Sequence, residues 1–338
     1  MNYSVIPPYI FSKIIDTGSS DQRSRARSTL AHVQMLMTET KTKPEGLHIT
    51  TTGKLQREIY DAQQTQNLPG TLVRMEKSRE NDDVTVNEAY DYLGVTYDFY
   101  KEAYQRNSLD NKGLPLKATV HYGKDYQNAF WNGHQMVFGD GDGEIFNRFT
   151  SAIDVVAHEL SHGMTESEAD LIYFQQAGAL NESISDVFGS LVKQFNKKQT
   201  ADQADWIIGE GLLMKGINGK GIRSMSKPGS AYDDPLLGKD PQPAHMNDYV
   251  QTRDDNGGVH LNSGIPNHAF YLAAIALGGY AWKIAGYAWY DTVCDKHLPQ
   301  DADFKTFAEF TIKHGKTRFN KSVGHTIETA WQQVGVLP

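Results

Sequence analysis

The chain is nearly devoid of cysteine. Cys294 is the single thiol among 338 residues, which excludes an internal disulfide framework and any cysteine-based zinc cluster. No run of 18 apolar residues occurs, so no segment reads as a membrane-spanning helix. Positive charge is scarce as well: 33 Lys and Arg stand against 41 Asp and Glu. That balance excludes a general nucleic-acid binder, because phosphate contacts need a basic face. The opening residues, MNYSVIPPYIFSKI, hold two prolines and no continuous apolar stretch, so no secretory signal peptide is expected. G-x-S-x-G, Walker A and G-x-G-x-x-G are missing, which leaves serine-hydrolase, P-loop and dinucleotide chemistry without support. Cys294 itself lies among apolar and aromatic residues and reads as core.

What is present describes a soluble globular chain with the makeup of an enzyme. At roughly 150 residues per domain the length suggests two domains and a small appendage. Hydrophobic residues at 39% and charged residues at 22% are enough for a sizeable core. The first fifty residues stand apart, with six basic side chains against four acidic ones, whereas 51–338 hold 27 against 37. Within them Pro7-Pro8 fixes an extended stretch, and Ala26, Leu30, Val33 and Met37 recur at helical spacing. TKTKPEG then breaks the helix and HITTTG follows as a polar linker. A basic lead segment tied softly to an acidic body reads as a prosegment or docking arm; an ordinary N-terminal subdomain is the alternative. From 56 to 143 the pattern is strand-like, and beyond 150 it turns helical, through 151–168, 179–195, 267–281 and 304–315. The expectation is an α+β fold with a β-rich lobe, an α-helical lobe and a cleft between them.

The run SAIDVVAHELSHGMTESEA contains His158-Glu159-Leu160-Ser161-His162, an H-E-x-x-H. Two histidines four apart on a helix lie one turn above each other, so both imidazoles reach one ion. Ser151 and Asp154 give a capping-box pattern ahead of it. Ile153, Val156, Ala157, Leu160 and Met164 form an apolar stripe opposite His158, Glu159 and His162. Downstream, GALNESISDVFG sets Glu182 and Asp186 one turn apart on a polar face. Glu182 would complete a His₂Glu zinc set with the fourth position open to water, and Asp186 would accept the free N–H of a ligand histidine. Two solvated carboxylates are the commoner fate of such a pair, but that reading weakens when the pair follows an H-E-x-x-H.

HELSH followed by GALNESISD resembles the thermolysin-like neutral zinc metalloproteases, the M4-type gluzincins. NAFWNGHQMVFGDGDG, RSMS and DNGGVHLNSGIPNHAFY fit the same family in the same order, over most of 56–338. IPPYI within a short lead segment is similar to the protealysin-like subgroup. The resemblance implies a thermolysin-like two-lobed fold: a prosegment over 1–50, a β-rich lobe with the HELSH helix over 51–173, and a helical lobe over 174–338. It implies the precursor of a zinc endopeptidase that cuts on the amino side of bulky hydrophobic residues, by attack of a zinc-bound water. Glu159 would be the general base, with Tyr173 and His260 as donors to the oxyanion and Asp255 holding His260. Asn181 would stand with Asp186 behind the ligands. Asn128 and Ala129 would pair with the substrate backbone and Arg223 would bind a substrate carbonyl. Phe146, Phe149, Val155, Ile208 and Ile222 would line the pocket beyond the scissile bond.

Calcium is where the chain departs from its larger relatives. In GDGDGE (139–144) Ile145 stands where an EF-hand loop needs glycine, so a tight β-turn is expected. Asp154, Asp205 and Glu210 match three positions of the family's paired calcium site, but Lys193 takes the place of its bridging carboxylate and Ile207 that of another acid. One zinc ion and no calcium pair are therefore expected. The partners implied are protein and peptide substrates and the chain's own prosegment in cis, with no nucleic acid and no membrane, in a monomer. The prosegment would hold the enzyme latent until cleavage within 47–54. Secretion by a route without a classical signal is the expected location, with the bacterial cytoplasm as the alternative. A competing reading, a catalytically silent metal-binding module, would lack a ligand, the base or an oxyanion donor, and none is missing.

Overall fold

The computed structural model describes residues 3–38 and 54–338. The expected cleavage region, Lys54 apart, lies outside the described residues. The chain forms two compact units: Met1–Gly163 with Gly209–Asn218 and Asp234–Gly238, and Met164–Ile208 with Gly219–Asp233 and Lys239–Pro338. No helix among the described residues is long and apolar enough to cross a membrane.

The first unit opens with β1 (Tyr3–Ser4), α1 (Pro8–Thr17) and α2 (Ser20–Thr38). The body follows with β2 (Arg57–Asp61), β3 (Thr71–Met75), α3 (Val84–Tyr104), β4 (Leu116–Val120), β5 (Ala129–Trp131), β6 (Met136–Phe138) and α4 (Ile153–Glu168), whose last turns pass into the second unit. One six-stranded sheet runs in the order β1-β5-β6-β4-β2-β3. β2–β4 and β4–β6 are parallel, and the other pairs are antiparallel. AFW and MVF are buried at every residue, the mark of strands covered on both faces.

Two departures from the sequence reading have a local cause. The strand-like stretch 56–143 contains the 21-residue α3. Its valines and tyrosines have strand propensity, but Val86, Ala89, Tyr90, Leu93, Tyr97, Tyr100 and Tyr104 recur at a helical period and are all buried. Asp83 caps it, its side chain accepting the Thr85 N–H. Of the two prolines only Pro7 is extended; Pro8 opens α1, where its fixed φ suits the first helical turn. Ile10, Phe11 and Ile14 bury the inner face of α1, which packs on α2. The buried face of α2 is Ala26, Thr29, His32, Val33 and Leu36, with Leu30 only half-buried. Two polar side chains are drawn inward because they find partners: His32 meets the hydroxyls of Tyr126 (3.0 Å) and Tyr122 (2.9 Å), and Thr29 Oγ1 accepts the Gln127 N–H.

The second unit is built on α5 (Gln175–Lys197), buried from Ala177 to Gln194. It continues with the two-stranded pair β7 (Ile207–Ile208) and β8 (Arg223–Ser224), then α6 (Asp255–Asn262), α7 (Gly264–Leu277), α8 (Ala285–Cys294), α9 (Phe304–Arg318) and α10 (Lys321–Gln333). Trp289 of α8 stacks on Trp331 of α10 at 5.9 Å, and the Trp331 indole N–H donates to Thr311 of α9. α8 and α10 escape the sequence reading because aromatic side chains dominate one and polar side chains the other. Cys294, at the end of α8, is half-buried rather than core.

His121 locks the end of β4. Its Nδ1 faces both oxygens of Asp140 at 2.9 and 3.0 Å, and its Nε2 meets Asp83 at 2.8 Å. The hydrogen bond to Asp140 outweighs burial, and with Asp83 it raises the imidazole pKa to about 9. A raised folded-state pKa stabilises fully below the unfolded value near 6.5, and the gain is lost as pH climbs through about 9. Thermal melts of the wild type and His121→Gln should differ by on the order of 1–2 kcal/mol at pH 6, allowing for solvent screening. The gap should close by pH 10, and a gap that stays constant would exclude the imidazolium.

Candidate active site

The apolar stripe of α4 is buried throughout, and His158, Glu159 and His162 on its other side are buried as completely. The helix start differs from the capping box anticipated: Ser151 lies in a 3₁₀ turn and donates to the Arg148 carbonyl, and the Asp154 carboxylate receives the Gly209 N–H at 3.2 Å. The helical repeat brings His158 Nε2 and His162 Nε2 to 3.1 Å, their rings nearly perpendicular. Nitrogens bound tetrahedrally to one zinc at 2.0–2.1 Å would lie about 3.3 Å apart. His158, His162 and Glu182 offer ligand atoms all within 4.8 Å of one another, and each is buried. Two imidazoles and one carboxylate, shielded from water, fit zinc in donor type and in spacing.

α5 places Glu182 and Asp186 on one face, as the spacing requires. Asp186 is gripped by Arg223, whose Nε donates to Oδ2 at 2.7 Å and Nη2 to Oδ1 at 2.8 Å, and by Asn267 Nδ2 at 2.8 Å. All three are essentially unexposed. Asn267, at the start of α7, carries no sequence signal that marks it; only the fold shows what it serves. Asn181 is buried beside Glu182.

Tyr173 precedes α5, and its hydroxyl donates a short hydrogen bond to Glu182 Oε1 and lies 3.5 Å from His260 Nε2. The close approach depends on Gly178, where a Cβ would stand 2.9 Å from the Tyr173 backbone and 2.5 Å from Val259. His260 follows a left-handed run, Asp255 (φ 52), Asn256 (φ 50), Gly257 (φ 83) and Gly258 (φ 78). DNGG is a sequence tolerant of that conformation. The turn folds Asp255 back so that Oδ1 meets His260 Nδ1 at 2.6 Å and Oδ2 accepts the His260 N–H at 2.8 Å. Burial lowers the His260 pKa, but Asp255 and Glu182 overcome it and raise the ring to about 9. Gln242 Nε2 holds the His260 carbonyl at 2.7 Å, a contact with no sequence signal.

In the lead segment, Tyr3 and Ser4 pair antiparallel with Trp131 and Phe130, and the Val5 N–H donates to the Ala129 carbonyl at 3.2 Å. Asn128 Oδ1 accepts the Ile6 N–H at 3.0 Å and its Nδ2 donates to the Ile6 carbonyl at 3.3 Å. The edge of β5 thus bonds the chain's own first residues. Arg25 on α2 ties down the 139–144 loop through Glu144 at 2.6 Å. Asp142 in that loop receives the backbone N–H groups of Glu144, Ile145 and Phe146, so it forms an Asp-centred turn.

Residues 26–166 match the thermolysin metallopeptidase catalytic domain, 169–336 its alpha-helical domain, and 3–45 the protealysin propeptide. The chain belongs to the thermolysin metallopeptidase family. An extracellular metalloprotease of Pectobacterium carotovorum subsp. carotovorum is 64% identical over 98% of this chain and 96% of its own length. Protease PrtS of a Photorhabdus strain is 55% identical over 99% and 92%. The precursor of protealysin, a metalloproteinase from Serratia proteamaculans, superposes with a TM-score of 0.91 at 68% identity, covering 99% of both chains. The thermolysin-like fold, with a β-rich N-terminal domain and a helical C-terminal one, and the protealysin-type propeptide follow from these matches. In this metallopeptidase the ligand set predicts a specific result. Elemental analysis should find about one zinc per chain, and His162→Ala should bring it close to zero.

Proposed function

We propose that the chain is the precursor of a zinc-dependent endopeptidase, a reading carried by the buried His158–His162–Glu182 set. Bound zinc supplies Lewis acidity toward the scissile carbonyl and makes water a nucleophile near neutral pH. Glu159, one residue from a ligand and buried beside it, takes the proton of the attacking water and passes it to the leaving amine. Tyr173 and His260 donate to the charge that develops on the carbonyl oxygen; what supports this is the 3.5 Å separation of their polar atoms. Asp255, bonded to Nδ1, keeps the other ring nitrogen as a donor. Arg223, its fork fixed by Asp186, binds a substrate carbonyl.

Substrate lies along β5 by strand addition, through Asn128 and Ala129. The support is that these residues already bond an extended segment, Tyr3 to Ile6. Residues 1–50 form an inhibitory prosegment, which covers that edge and anchors through Arg25 and His32 before cleavage within 47–54. The body is divided at residue 173. Phe146, Phe149 and Val155, and in the second unit Ile208 and Ile222, are uniformly apolar and buried, which supports a preference for cutting before Leu or Phe. Lys193 replaces the calcium pair of larger relatives: its buried ammonium donates to Asp205 at 2.7 Å and to the Ile207 carbonyl at 2.5 Å. The enzyme acts outside the cell, as the relatives' names suggest, and as a monomer.

Glu159→Gln should keep its zinc, lose at least 10²–10³-fold in peptide hydrolysis and accumulate as uncut chain. Proteolysis persisting in that variant would remove the base. Activity lost to a chelator should return with zinc and not with calcium. The full-length chain should digest casein at least tenfold more slowly than one lacking 1–50, an order-of-magnitude figure for a covered edge strand. Equal rates would end the inhibitory role.

A further inference from the structure

Beside Tyr173 the second unit carries a second concavity, of about 430 Å³. Its apolar wall is Ile172, Phe174 and Tyr249, and its polar rim is Gln251, Asp301 and Asp303. Ile172 and Phe174, on either side of Tyr173 in the chain, leave 47% and 49% of their surface exposed. Large apolar side chains so open, around a concave surface, mark a place that binds something.

The charge at the rim chooses the occupant. No basic residue lines the concavity, and both charged residues there are acidic. Asp170 lies close behind, accepting from Gln300 Nε2 at 3.1 Å, while the Gln300 carbonyl holds the Ile172 N–H at 2.8 Å. Two helix starts also face it, those of α5 and α9, each worth about half a positive charge. Asp303 already offsets one of them, accepting the Thr306 N–H at 2.7 Å. Two full negative charges against two half-positive ones leave the rim anionic. A long side chain with an apolar stem and a cationic head satisfies both surfaces: the stem lies on Ile172 and Phe174 while the head reaches Asp301.

We propose that this concavity is a specificity subsite for an arginine or lysine side chain of the substrate polypeptide. It rests on the proposed endopeptidase function and on Tyr173 being part of its substrate-binding surface. The subsite acts on affinity for longer substrates, through side chains other than those that donate to the reacting carbonyl.

Enzyme activated from the full precursor would be assayed on internally quenched peptides with one fixed cleavable core. Arginine, norleucine or glutamate would be placed in turn at each position two to five residues from the scissile bond. A short peptide ending beside that bond reports the catalytic centre alone. At one position arginine should exceed glutamate by about five- to twentyfold in kcat/KM, mainly through KM, and the ratio should shrink in high salt. Asp301→Asn and Asp303→Asn, the latter keeping a side chain able to cap α9, should each reduce that ratio, and together bring it within twofold of one. Cleavage of the short peptide with no arginine preference at any position would overturn the subsite and leave the endopeptidase reading intact. So would a preference that survives in the double variant. Failure to cleave even the short peptide would remove the endopeptidase reading and the subsite with it.

Discussion

A helix buried along nearly its whole length ordinarily carries no charge, yet α5 holds Glu182, Asp186 and Lys193 out of water. Each buried charge costs several kcal/mol unless charge or strong hydrogen bonds of the right sign meet it. The second unit is arranged around that demand. Asp186 receives the guanidinium fork of Arg223 and the Asn267 amide, and Lys193 receives Asp205 and a carbonyl. Glu182 meets the Tyr173 hydroxyl, and His260 lies 3.5 Å from it. These pairings fix where β8, α6 and α7 lie against α5, so the ionic matching that makes the helix tolerable also sets the geometry of the chemistry. The divalent cation proposed for Glu182 and the two imidazoles would belong to the same pattern of compensation.

The lead segment solves a different problem with backbone groups. β5 has β6 on one side and β1 on the other, so in the precursor its N–H and C=O groups have partners on both edges. Side chains add selectivity to this pairing. Asn128 doubles as a backbone mimic for Ile6, Arg25 answers the acidic loop, and His32 sits between two tyrosyl hydroxyls in a nest with Phe130. The basic character of the first fifty residues is put to use at Arg25, which meets Glu144 and Asp142 of the body.

Much of this was legible from the chain alone, because the decisive signals are local. Histidines four apart and carboxylates four apart need only a helix to bring them together, and both stretches alternate apolar and polar residues with a helical period. The resemblance implies that Lys193 stands among acids in that part of the chain, and the fold pairs it with Asp205. What resisted reading depends on distant partners. α3 looks like strand until its neighbours in the sheet bury one helical face. Thr29 and His32 look like surface until Gln127, Tyr122 and Tyr126 come to meet them. Asn267 and Gln242 become meaningful only once α7 and His260 are in place. The turn through DNGG lies between these cases: its composition permits a left-handed path, the resemblance implies that Asp255 holds His260, and the fold shows how the path brings the two together.

The strand edge of β5 has a consequence for the life history of the molecule. An uncovered row of backbone donors and acceptors invites sticking to whatever extended chain is nearby, including other copies still being made. Most proteins blunt such an edge permanently, whereas a hydrolase that grips its target by that row has to keep it usable. A removable strand borrowed from the same polypeptide reconciles the two demands. Under the proposed function it would shield the edge for as long as the propeptide stays attached, and its removal would expose the edge to substrate.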